Sequence, residues 1–206
     1  MKLSHFFAYL NRLRWIKRWG LKRNVVEENV MEHSWQVATI AHVLALIRNR
    51  HFDGDLDAER IAVLGLYHDV SEVITGDMPT PIKYHSPTIT RAYKAIEDEA
   101  EREILGMLPD SLQPDFRNLL LHENIAEEHH RIVKYADMIS AYLKCEAELR
   151  AGNDEFSSAF RQIEQRIRDT RAPEVDYFMS HFVEAYTLTL DDMLNYHDRD
   201  IGLKKP

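Results

Sequence analysis

Apolar residues recur along this chain three and four positions apart, the spacing of a helix face, and no alternating apolar–polar run of useful length interrupts them. The pattern predicts an all-α bundle. Ser4 is placed to cap a first helix with Phe6, Phe7, Leu10 and Leu13 on one side, closing near Gly20. Asn29 followed by Glu32 resembles a capping box and opens a long second helix with His33, Val37, Ile40, Ala41, Leu44 and Ile47 on one stripe. Asp53-Gly54-Asp55 makes a turn, and Asp57 caps a third helix in which Ile61, Leu64 and Gly65 lead to His68. Gly76 ends it, and Asp77, Pro79 and Pro81 follow in a loop stiffened by proline. Residues 88 to 108 predict an amphipathic helix with Ile89, Tyr93, Ile96, Ala100, Ile104 and Leu108 inward. Pro109 to Pro114 break the chain before a short helical turn from Phe116 to Leu121. A long helix over about 126 to 150 carries Ile132, Ala136, Ile139 and Leu143, another spans 154 to 170, and Pro173 starts the last, with Tyr177, Phe178, Phe182, Val183 and Tyr186. Those late aromatics predict a closing face of the core or a subunit contact.

Several inward positions are ionisable. His33 lies in the first turn of the second helix, and His68 ends the third stripe with Asp69 about 100° round the axis. Glu72 falls four residues after His68 and three after Asp69, one turn beyond both if the helix continues. Asp137 shares a face with the small side chains of Ser140 and Ala141. Such groups are costly to bury without a partner or a cation. Two readings follow: a structural network, with Asp137 bonded to Ser140 or a basic neighbour, or a metal site assembled from three helices.

Composition narrows the class. With 206 residues, one domain over 1–195 and a polar tail over 196–206 are expected. No apolar run is long enough to span a bilayer, and the lone cysteine, Cys145, fits a reducing compartment, so a cytoplasmic protein with no membrane partner is expected. The net charge of −8 disfavours nucleic acid, although Arg12, Arg14, Lys17, Arg18, Lys22 and Arg23 crowd one segment where a small anion could dock. Trp15 and Trp19 beside Arg18 form either a core edge or a flat wall and planar fork for a phosphorylated sugar. His122, His129 and His130 are either extra ligands or exposed side chains.

Histidine, then His-Asp, then a distant Asp is an N,N,O,O donor set suited to a borderline divalent ion. In that order it resembles the signature of the HD superfamily of metal-dependent phosphohydrolases. The flanking text is more specific: Glu-Asn-Val-Met-Glu-His-Ser at 28–34, Tyr-His-Asp-Val-Ser-Glu-Val-Ile-Thr-Gly-Asp-Met-Pro-Thr-Pro at 67–81, Lys-Tyr-Ala-Asp at 134–137 and Ala-Tyr-Leu-Lys-Cys at 141–145. With Ser-His-Phe-Phe near the start and Arg18-Trp19, these residues resemble the bacterial HD-domain 5′-deoxynucleotidases of the YfbR type, over about residues 2 to 193. The resemblance implies a compact HD-domain helical bundle that hydrolyses 2′-deoxyribonucleoside 5′-monophosphates with a divalent cobalt, manganese or copper ion, as a homodimer. It implies His33, His68, Asp69 and Asp137 as metal ligands and Glu72 as the acid/base carboxylate. Arg18 would orient the phosphate and Trp19 would lie against the sugar. Asp77 would assist the leaving oxygen or hold the substrate together with Met78, Pro79 and Thr80, and His33, Asp69 and Asp137 would also border it. Two other readings remain at this point: an HD phosphohydrolase of another phosphoester, and a noncatalytic nucleotide-binding module. Cyclic-dinucleotide phosphodiesterases typically follow His-Asp with Gly-Lys, whereas Val70-Ser71-Glu72 stands here.

Overall fold

The computed structural model describes residues 3–194. Helices and the loops between them make up those residues, and an isolated bridge between Lys17 and Asn29 is the nearest thing to a sheet among them. Helices α2 (Val30–His51), α3 (Ala58–Tyr67) and α8 (Glu127–Arg150) pack together as the frame, and α9 (Ser157–Thr170) and α10 (Pro173–His181) close its far side. Leu44, Ile61, Ile132, Ile139 and Phe156 are fully buried between these elements. A smaller core gathers Phe6 of α1 (Phe6–Leu10) with Val70, Ile104 and Leu105 of α6 (Pro87–Gly106) and Leu120 of α7 (Gln113–Leu120). No helix of the described residues is long and apolar enough to cross a membrane.

The start signals work as local chemistry predicts. Asn29 and Glu32 form the reciprocal capping box of α2, and the Asp57 carboxylate accepts from the Arg60 amide at 2.9 Å to cap α3. Elsewhere packing overrides the pattern. The first helix does not run to Gly20: after α1 the chain tightens into a 3₁₀ segment over Asn11–Trp15, which shifts the helical phase. Phe6 and Leu13 are therefore buried while Phe7 is exposed. The N-cap position falls on His5, one residue after the expected Ser4, whose hydroxyl accepts from the Phe6 amide at 3.4 Å and donates to the Met107 carbonyl at 2.6 Å. On α6, Tyr93, Ala100 and Ile104 face inward as expected, but Ile89 and Ile96 are exposed. That half of α6 packs against the short helices α4 (Glu72–Thr75) and α5 (Thr80–Lys83), which leave part of the stripe uncovered. The expected proline-stiffened loop thus contains a helical turn. Of the late aromatics Phe178 is buried, whereas Phe182 and Tyr186 are exposed. The tail expected over 196–206 lies outside the described residues.

Candidate active site

Gly65 is the point on which the site's geometry turns. A Cβ there would lie 2.7 Å from the Ala38 Cα, so only glycine lets the backbones of α2 and α3 approach this closely. The approach sets His68, the residue closing α3, opposite His33, with ring centroids 5.2 Å apart. The helix does not persist through Glu72. It ends at Tyr67, the chain turns over residues 68–71, and Glu72 opens α4. Asp69 thereby leaves the helix and points between the two imidazoles. Its Oδ2 lies 3.1 Å from His68 Nε2 and 3.5 Å from His33 Nε2.

The outer hydrogen bonds fix both tautomers. Ser140 donates its hydroxyl proton to Gln36 Oε1 at 2.6 Å, so toward His33, 3.0 Å away, it can only accept, and His33 carries its proton on Nδ1. His68 Nδ1 likewise donates to the Gly65 carbonyl at 2.8 Å. Both Nε2 atoms are buried with no hydrogen-bond partner, and their lone pairs face Asp69. One donor atom each from His33, His68 and Asp69 lies within 4.8 Å of the others. Asp137 stands beside this trio, its Oδ1 3.1 Å from His33 Nε2 and its side chain 45% exposed. Two orphaned imidazole nitrogens and two carboxylates, each imidazole held from behind, fit a divalent transition ion with room for further ligands.

Charge favours a cation as well. Burial would lower the His33 pKa, as would Arg18, but Asp137 and Asp69 outweigh both and hold it above the usual range. Burial likewise works against ionising Asp69 and Asp137, yet His68 and His33 keep Asp69 well below the usual carboxylate range and the neighbouring His33 lowers Asp137. Glu72 behaves oppositely. Burial first, then the neighbouring charges of Asp69 and Asp77, push it up to about 10, and its Oε2 has no partner. Asp77 is raised as well, chiefly by burial.

The substrate side is built on an irregular strap, residues 16–30, that folds back on itself. The Arg18 amide donates to the Glu28 carbonyl and the Val30 amide to the Ile16 carbonyl, each at 3.0 Å. Arg18 Nη1 donates to Asp69 Oδ2 at 3.2 Å and Nε to Glu28 Oε2 at 3.1 Å, which aims the guanidinium across the metal-site residues. Trp19 takes a left-handed backbone, φ 60°, rare for a bulky residue. Its amide is held by Asp77 Oδ2 at 3.1 Å, its indole N–H by Glu28 Oε2 at 3.2 Å, and its carbonyl by the Lys22 amide at 2.9 Å. Asp77 follows Gly76, whose φ of 71° turns the chain back toward Trp19. Met78 and Pro79 are half-buried and Thr80 is exposed where α5 begins.

Not every candidate converges. Trp15 is exposed under the Arg12 guanidinium, whereas Trp19 is half-buried against Phe156, so the two indoles do not form one wall. His122 is bound at Nδ1 by the buried Glu101 at 2.8 Å and meets His130 edge to face; with His68 they line a cavity of about 20 Å³ beside the site. His129 lines a separate hollow with Arg60. Sequence reading missed the strap's fastening. Glu148, fully buried in α8, accepts from the amides of Val25 and Val26 and from Asn153, and pairs with Lys144. A glutamate four residues after a lysine reads as an ordinary surface pair, so only burial distinguishes it.

The model of the family described as 5′-deoxynucleotidase YfbR-like matches residues 5–186. The chain belongs to this family. Its relatives include the 5′-deoxynucleotidase of Yersinia pestis (strain Pestoides F) and that of Yersinia pseudotuberculosis serotype O:1b, each 55% identical over 191 residues, 93% of this chain and 97% of the relative. Among solved structures, an HD-domain phosphohydrolase from Listeria innocua superposes with a TM-score of 0.78 at 22% identity, covering 96% of this chain and 97% of that one. The cyanophage S-2L HD phosphohydrolase, solved with dA and one catalytic Zn²⁺ ion, has a TM-score of 0.60 at 19% identity, covering 90% of this chain and 99% of that one. The HD-domain helical bundle expected from the sequence is the fold observed.

Proposed function

We propose that this protein is a metal-dependent 5′-deoxynucleotidase that releases phosphate from 2′-deoxyribonucleoside 5′-monophosphates. The observation that carries the reading is the pair of buried, unpartnered Nε2 lone pairs of His33 and His68 facing Asp69, with Asp137 beside them and the Arg18 guanidinium across them. Family membership supports the same activity. His33, His68, Asp69 and Asp137 would hold the ion, which we read as divalent cobalt, manganese or copper. When bound, the ion neutralises phosphoryl charge and makes water nucleophilic at neutral pH.

The chain's own residues do the rest. Arg18 spends Nε on Glu28 and Nη1 on Asp69, while Nη2 bonds no described residue and is free for a phosphate oxygen. Glu72, whose Oε2 has no partner, would handle the proton of the attacking water; burial and the negative charges of Asp69 and Asp77 keep its carboxyl protonated, and a bound cation would offset those charges and free the carboxylate as a base. Asp77 ties the loop before α5 to the Trp19 amide, so the leaving 5′-oxygen and the sugar meet a fixed edge formed with Met78, Pro79 and Thr80. Trp19 supplies the bulk that excludes a 2′-hydroxyl. We further read the working form as a cytoplasmic homodimer, which light scattering of the purified protein checks.

The test is phosphate release from dAMP, AMP, dATP and a cyclic dinucleotide after metal stripping and readdition. Release from dAMP well above the others, restored by metal, is expected. Preference for dATP or the cyclic dinucleotide would place the enzyme with another HD phosphoester hydrolase, and no release with any metal would end the enzymatic reading.

A further inference from the structure

One carboxylate oxygen links the two halves of the substrate grip. Glu28 Oε2 accepts from Arg18 Nε at 3.1 Å and from Trp19 Nε1 at 3.2 Å, and the Glu28 carbonyl accepts from the Arg18 amide at 3.0 Å. The side chains of Glu28 and Arg18 are only 13% and 12% exposed, so solvent has little access to replace these bonds. Asp69 already faces Arg18 on its other edge, so Glu28 is not required merely to balance that charge. Its second bond goes to the tryptophan, which sits in a left-handed backbone and would relax toward an ordinary conformation if loosened.

We propose that Glu28 is a positioning residue that couples recognition of the phosphate to recognition of the sugar. Because both donors share one oxygen, a shift of the guanidinium toward a bound phosphate pulls on the carboxylate that orients the indole. Phosphate binding then seats Trp19 against the ribose, and deoxy selectivity depends on an occupied phosphate site. This rests on the placement of Arg18 at the phosphate and Trp19 at the sugar proposed above.

The experiment follows the indole N–H signal of Trp19, assigned with Trp19→Phe, in ¹⁵N-labelled protein loaded with diamagnetic Zn²⁺, before and after adding inorganic phosphate. Phosphate shifts the signal in the wild type. In Glu28→Gln, which keeps the side chain's shape and so its fold, the signal starts upfield and the phosphate response shrinks; in Glu28→Ala the response disappears. In parallel, kcat/KM for dAMP falls about tenfold in Glu28→Gln, the scale of one charge-assisted hydrogen bond. The dAMP-to-AMP ratio falls with it, as a purely structural loosening that scaled both substrates alike would not do. A phosphate response in Glu28→Gln equal to the wild type's, or an unchanged ratio, would overturn the coupling. Failure of the wild type to cleave dAMP would instead count against the nucleotidase reading, while the phosphate response of the indole still decides the coupling.

Discussion

The two sides of the site are built in opposite ways. The metal-binding side stands on a frame of long helices, where His33, His68 and Asp137 project from helical positions brought together by buried apolar contact between α2, α3 and α8. The substrate side stands on a strap with less apolar burial: Val30 anchors its end and Trp19 is half-buried against Phe156, but Leu21, Val25 and Val26 are exposed, and Glu28, Asp77 and Glu148 hold it through hydrogen bonds. A packed frame resists displacement because every side chain meets many neighbours. A polar strap is held by a few directional contacts, each of which matters separately. Frame substitutions near the site should therefore weaken or abolish metal binding, whereas strap substitutions should leave the metal in place and change which substrate is used.

The largest effect is expected at the centre. Asp69→Asn or His68→Ala should remove both bound metal and phosphate release, with the fold retained by circular dichroism; full metal content in either would break the assignment of these residues to the ion. Next comes Glu72, at the joint between frame and loop. Glu72→Gln should keep its metal by elemental analysis while kcat falls about a hundredfold to ten-thousandfold, the range for loss of a general acid/base. Ser140→Ala removes the acceptor that holds His33 in its Nδ1-protonated form, and should weaken metal binding about ten- to a hundredfold in a chelator competition without altering the dAMP-to-AMP ratio. A change in that ratio would blur the division between frame and strap.

The smallest effect concerns the fastening of the strap. Burial alone would raise the Glu148 pKa, but the Lys144 ammonium and the N–H groups of Asn153, Val25 and Val26 outweigh it and lower the pKa from 4.5 to about 2. A carboxylate depressed in the folded state contributes stability that is complete above the unfolded value and disappears as pH falls through the folded one. Between pH 4.5 and about 2 the wild type should thus lose stability that Glu148→Gln never had. Urea midpoints measured across that window check it, and parallel curves for the two proteins would remove Glu148 as the anchor.

Much of this architecture was legible in local pattern, and the misses are instructive. The stripe through Val37, Leu44 and Ile47 and the caps at Asn29 and Asp57 depend on neighbours a few residues away, so spacing alone located them. Phe7 and Ile96 were misjudged because a short or tightened helix does not bury its whole stripe, and Trp15 because an indole's destination depends on what lies opposite. The resemblance of the motifs at 28–34 and 67–81 to the YfbR type supplied the family, which the comparisons bear out.

By itself, the sequence determined which residue types each helix turns inward and where most helices begin, since those follow from periodicity and capping within one or two turns. Only the tertiary structure decided that His33 meets Ser140 across 107 positions, that Gly65 lets two backbones touch, and that Glu28 serves arginine and tryptophan with a single oxygen. Helical phase is a one-dimensional property of neighbouring residues. Convergence of side chains is set by which faces pack and how closely, and a single close approach between α2 and α3 places the rest.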